Sequence, residues 1–255
     1  MDALADWWRK RSVSSVRQAW GMAPQAGDWA LVGLSRHGQG LVKVHTTASF
    51  DGADGQADDQ MLTLSQSLHD TGRARGGWRH RLHMALPFDQ VLQGHVDVPS
   101  AWSENDWRYD IQLAVSEALQ LDPNEVNFDF EPAPETDGQV RRVHWIACAA
   151  YWVQAFKNCT RAAGWRLASV EPQMQAAQRA LSALVGGVAS VLTLAPQDWQ
   201  FEVDKLSANA IVTEDLSVLS GNASVVSDIT VRPILDTPAG PRLVASGLAL
   251  RAWQT

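Results

Sequence analysis

Two cysteines, Cys148 and Cys159, are the only thiols in the chain, and both stand at apolar positions. A nucleophilic or metal-binding thiol needs a base, a cation or a second ligand close by. The two stand eleven apart, on a strand and a helix, and both read as small buried hydrophobes. His80 and His83 fall on a strand-like stretch, where a spacing of three points them to opposite faces, so a metal pair is not expected. Asp129, Glu131 and Glu135 cluster as carboxylates, yet no partner for general acid–base work is visible, and a solvated strand end is the expectation. Asn222-Ala223-Ser224 fits a glycosylation acceptor, which a cytoplasmic chain would not use. No H-E-x-x-H, C-x-x-C, G-x-S-x-G or P-loop pattern occurs. The expectation is therefore no catalytic residue and no metal ligand.

The tryptophans are the other unusual feature: 12 Trp stand against 2 Tyr. Trp29, Trp145, Trp152 and Trp165 sit within apolar segments and read as core. Trp78, Trp102 and Trp199 sit at element ends, where an exposed ring can anchor a peptide. The first residues are aromatic and basic. Trp7, Trp8, Arg9, Lys10 and Arg11 have no apolar signal core behind them. With Val16 and Trp20 they fit either a weak membrane-surface helix or a short helix packed on the body.

These residues need a scaffold, and composition bounds it. Lys and Arg number 21 against 28 Asp and Glu, giving a net charge of −7 and arguing against a nucleic-acid-binding face. Apolar residues make up 45% and charged residues 19%, which allows a proper core. No run is long and apolar enough to span a bilayer.

Five segments organise the chain. Residues 1–27 read as an N-terminal helical piece. Residues 28–78 begin with a hairpin, residues 29–35 and 41–47 around His37-Gly38-Gln39-Gly40, followed by a short helix at 61–69. Residues 79–164 read as strands at 80–86 and 93–98, then a helix opened by Ser103 and Asp106 at capping-box spacing, with Trp107, Ile111, Ala114, Val115, Ala118 and Leu119 inward. Strands at 126–130 and 143–150 and a helix closed by Gly164 follow. Residues 165–186 give a strand and a helix opened by Pro172. Residues 187–255 read as β-rich, with strands expected at 188–194, 199–203, 210–212, 223–231 and 242–249. The pattern is α/β.

Several phrases, in this order, resemble the PilM family of type IV pilus assembly proteins. Leu86-Pro87, Val98-Pro99, an amphipathic helix and Asp122-Pro123 resemble its inserted subdomain. Val143 to Ala150, a helix ending in Ala163-Gly164, Val170-Glu171-Pro172 with Ala176-Ala177, and a closing Gly247-Leu248-Ala249-Leu250-Arg251 resemble its later segments. The resemblance implies a reduced actin-like (ribonuclease H-like) fold with an inserted α/β subdomain at 79–164 and a β-rich truncated second lobe. It also implies a cytoplasmic protein peripheral to the inner membrane. Its partner would be the N-terminal cytoplasmic peptide of PilN, and a pilus motor ATPase is a further possible partner. The groove positions carried over are Val42, Val44, Ala149, Tyr151, Trp152 and Glu171. Lipid contact, if any, falls to Trp7, Trp8, Arg9, Lys10 and Arg11.

The resemblance also bears on nucleotide. Members that bind ATP·Mg²⁺ use hairpins resembling G-[IL]-D-[IL]-G-S-S and D-I-G-A, whose N–H groups and Asp hold phosphate and metal. The first is matched to Gly33-Leu34-Ser35-Arg36-His37-Gly38, with Ser35 at the Asp and Arg36 and His37 in the turn. The second is matched near Thr193 and Ala195, without Asp or Gly. No cofactor and no ATP hydrolysis are expected. Two alternatives stay open: a relative of the cytoplasmic actin-like domain of GspL from type II secretion, disfavoured because no transmembrane segment follows Thr255, and a sugar-kinase-like phosphotransferase or ATPase.

Overall fold

The computed structural model describes residues 18–25, 28–36, 42–51, 57–73, 80–133, 139–207 and 228–253. Trp7, Trp8, Arg9, Lys10, Arg11, His37, Trp78, Glu135, Asn222 and the strand expected at 210–212 lie outside these.

The main sheet has five strands: β1 (Gln18–Gln25), β2 (Asp28–Arg36), β3 (Val42–Asp51), β4 (Arg81–Leu86) and β8 (Arg166–Pro172). Their order is β3-β2-β1-β4-β8. The first three run antiparallel as a meander, whereas β1, β4 and β8 are parallel. Side chains alternate between the two faces, as the strand period requires. Trp20, Met22, Leu31, Leu82 and Met84 point into a core with α1 (Ala57–Arg73) and α3 (Ala150–Ala162). Ala19, Ala23, Val32, Leu34 and Ala85 point the other way, under α4 (Gln173–Ala183) and α8 (Ala239–Arg251). The central strands are buried on both faces, as a parallel sheet between two helical layers must be.

The insert is a separate small layer pair. Strands β5 (Leu92–Pro99), β6 (Val126–Pro132) and β7 (Val140–Ala149) form an antiparallel sheet of order β5-β7-β6. One face packs Val98, Val143 and Trp145 against Trp107, Ile111 and Val115 of α2 (Glu104–Leu119). Ser103 accepts from the Asp106 N–H while the Asp106 carboxylate accepts from the Ser103 N–H at 3.1 Å, so the expected capping box starts α2.

Three expectations are corrected. The stretch 18–25 is strand, not part of a helical segment 1–27; its Ala, Gly and Pro content hides it, and pairing with β2 and β4 makes it. The insert spans Leu92 to Ala149, not 79–164, because β4 pairs with β1 and β8 and α3 packs in the main core. The described residues of the last segment, 187–207 and 228–253, are helical, not β-rich. They form α5 (Gly187–Leu192), α6 (Trp199–Glu202), α7 (Asp228–Leu235) and α8. Helix α8 is buried on nearly every side, so it shows no amphipathic stripe, and its valines and leucines resemble strand. After β8 the described residues hold one isolated β-bridge, Leu184 with Leu206, and no further strand.

Candidate functional site

Strands β6 and β8 are edge strands among the described residues: β6 pairs only with β7, and β8 only with β4. Between them lies a cleft of about 340 Å³. Phe128, Ile146 and Cys148 come from the insert, Val153 and Lys157 from α3, and Leu167 to Pro172 from β8. Two free sheet edges thus flank one largely apolar slot. Asn127 and Asp129 add polar groups on the β6 side.

The expected groove positions are scattered by the fold. Val42 and Val44 lie on β3, at the far edge of the main sheet from β8, and pack under the helical layer. Ala149 ends β7 and stands before the first turn of α3. Tyr151 is exposed, with its ring 5.3 Å from that of Trp152. Trp152 is half-buried against the core and donates its Nε1–H to Gln90 Oε1 at 2.9 Å. Of the six, Glu171 alone lines the cleft. Its carboxylate, however, is 2% exposed and is taken up by Arg179 and Arg251 of the opposite helical layer. Arg179 also donates to the Gly247 carbonyl at 2.9 Å, so one guanidinium ties β8, α4 and α8 together. Ile146 and Val170 were missed. The signal available was their alternation with core residues on strands that turn out to be adjacent to an edge.

The described positions matched to the phosphate hairpins lie apart from this cleft. Ser35 and Arg36 end β2, paired with Lys43 and Val42 of β3. Thr193 caps α5 by donating to Ala189 O at 3.0 Å, and Ala195 precedes a single 3₁₀ turn.

The remaining chemical groups are pacified by burial. The Cys148 and Cys159 thiols are pushed up to about 11 and about 12, so both stay protonated at neutral pH. His80 stacks with Trp20 and Trp165, with centroids 5.5 and 4.8 Å away. His83 faces the other layer, its Nδ1 2.7 Å from Ser169 Oγ. Among the described residues no three His, Cys, Asp or Glu side chains are grouped to hold a metal ion.

His83 gives a pH prediction. Burial lowers its pKa to about 4; Glu171 opposes this, while Arg251, Arg81 and Arg179 add to it. The unfolded chain binds this proton near 6.5, the folded chain only near 4. Stability is therefore complete above 6.5 and is lost as pH falls from there through 4. Between pH 7 and pH 5 the loss is about 2 kcal/mol. Urea unfolding at the two pH values checks this: the loss is expected in the wild type and should shrink in His83→Gln.

An open mixed sheet of this order, covered by helices on both faces and carrying an insert between its fourth and fifth strands, is an actin-like α/β fold in reduced form. Among solved structures, the chain is similar to the PilM-PilN type IV pilus biogenesis complex, at 22% identity and a TM-score of 0.52, covering 64% of this chain and 50% of that one. It is also matched, at a TM-score of 0.44 and 12% identity, with the cytoplasmic domain of EpsL of the Vibrio cholerae type II secretion system, over 62% of this chain and 58% of that one. No family model and no curated protein matches the sequence. The chain thus spans about half the length of the first of these structures. No helix of the described residues is long and apolar enough to cross a membrane.

Proposed function

We propose that this chain is a non-catalytic scaffold of type IV pilus assembly that holds an extended cytoplasmic peptide of a PilN-like inner-membrane protein between β6 and β8. The observation that carries this reading is the apolar cleft bordered by two free strand edges. An extended segment laid there can take main-chain hydrogen bonds from either edge and bury alternate side chains against Ile146 and Val170. The likeness of fold to the PilM-PilN complex supports the choice of partner. Such a scaffold would work at the cytoplasmic face of the inner membrane. Ser35, which stands where the resembled phosphate hairpin carries Asp, supports the non-catalytic half of the reading, because a phosphate hairpin without its carboxylate has no means to organise Mg²⁺.

Fluorescence anisotropy with the N-terminal peptide of the neighbouring PilN-like protein tests the first half. Saturable binding is expected, and Ile146→Asp should weaken it at least about tenfold by placing a charge in the apolar slot. Failure to bind at any attainable concentration refutes the partner. Titration calorimetry with ATP·Mg²⁺ tests the second half; micromolar binding accompanied by hydrolysis would overturn it.

A further inference from the structure

Beside the cleft, at the first residue of β8, lies a second cavity of about 570 Å³, which shares Lys157 and Leu167 with the first. Three of the side chains around this cavity are cationic: Lys157 and Arg161 from α3 and Arg166 from β8. No carboxylate lines it, and the sequence of α3 contains none. None of the three cations is in an ion pair among the described residues. The one acid of β8, Glu171, is already held by Arg179 and Arg251 on the other face of the sheet. One track along the β8 edge is therefore largely apolar, with Asp129 as the acid on its β6 side, and positively charged at its start, where three cations without ion-pair partners outnumber that one carboxylate. In a chain of net charge −7 this local reversal of sign is not a consequence of composition.

We propose that the extended segment held in the cleft carries an acidic side chain beside its apolar anchor, and that Lys157, Arg161 and Arg166 receive it. This rests on the peptide-binding reading above and deepens it. Charge at the rim of an interface acts mainly on encounter rate, register and discrimination between partners. Here it fixes which end of the segment lies at the start of β8, a choice the apolar slot alone does not make. A lipid headgroup is the weaker occupant, because the exposed α3 positions beside the cations are Gln154, Asn158 and the small Ala162, with no large apolar side chain to enter a bilayer.

The test uses the full chain and three labelled synthetic peptides of one extended apolar core, flanked on one side by Glu, Gln or Lys. At low salt the Glu peptide is expected to bind about tenfold more tightly than the Gln peptide, and raising the salt should narrow the gap, because these side chains are solvent-exposed. The double substitution Lys157→Glu with Arg161→Glu should invert the preference towards the Lys peptide while leaving the circular dichroism spectrum and thermal midpoint unchanged. Equal binding of the Glu and Gln peptides overturns the acid preference and leaves the cleft reading standing. Failure of all three peptides to bind overturns both. Capture of phosphatidylglycerol vesicles that is lost in the double variant, with no discrimination among peptides, overturns the proposal in favour of a lipid.

Discussion

Glu171→Gln is expected to lower the unfolding free energy by about 3 kcal/mol or more, the usual cost of removing one partner from a buried ion pair. The carboxylate is 2% exposed, and Arg179, with a side chain 15% exposed, approaches it with Nη2–H donating to Oε2 at 3.0 Å. Arg251 contacts the same carboxylate from the end of α8. Without the negative charge, two guanidiniums face each other, that of Arg179 nearly buried and that of Arg251 partly exposed. The intact triad is not itself a large source of net stability, since desolvating Glu171 and Arg179 offsets much of the attraction. The decisive comparison is therefore a cycle: Arg179→Met combined with Glu171→Gln should recover part of what either change loses alone. Urea unfolding of the four proteins measures it. Additive losses would mean that the two side chains act independently. Because Val170 and Pro172 flank Glu171 and line the cleft, loosening this joint should also weaken peptide binding.

Gly247→Ala is expected to destabilise by about 3 kcal/mol, the upper range for overpacking a close-packed core. An exposed helical glycine would behave in the opposite sense, gaining up to about 1 kcal/mol on replacement by alanine. Here α8 crosses α4 at Gly247, and a methyl group at that position would run into the carbonyl oxygen of Ala176. That oxygen is backbone and cannot rotate away. Gly21 makes the same kind of contact on the other side of α8, where an added methyl group would meet the Ala245 carbonyl and the Ala249 nitrogen. The helix is thus seated between two glycines, one on β1 and one its own. Thermal unfolding checks the prediction, with Gly164→Ala as comparison. Gly164 has φ of 78° but open space around its missing side chain, so only backbone strain, about 1–2 kcal/mol, should be lost there. A smaller loss at Gly247 than at Gly164 would refute the close-contact reading.

These two joints mark where reading the chain alone stops. The elements from Arg81 to Ala183 follow local rules that act within a few residues: the Ser103–Asp106 cap, the i, i+4 stripe of Trp107, Ile111 and Val115, the Gly164 terminus and the Pro172 helix start. Such patterns survive in sequence because each is enforced by near neighbours. Segments β1 and α8 obey no local rule. Strand β1 is rich in Ala and Gly because α8 lies on it, and α8 shows no polar face because it is covered by β1, β2 and α4. Their identities were decided by packing between residues more than two hundred positions apart, which no window of sequence contains.

The same division governs the candidate site. The resemblance carried by Leu86-Pro87, Val98-Pro99 and Gly247-Leu248-Ala249-Leu250-Arg251 already pointed to an actin-like frame. The cleft was another matter. Val42 and Val44 look equivalent to Ile146 and Val170 as alternating β-branched residues, yet sheet order sends the first pair to one edge and the second pair to the slot at the other. Likewise Glu171 reads as an accessible acid until β8 is placed beside α4 and α8. Which side chain is free and which is clamped depends on what lies across the sheet, and only the tertiary fold supplies that neighbour.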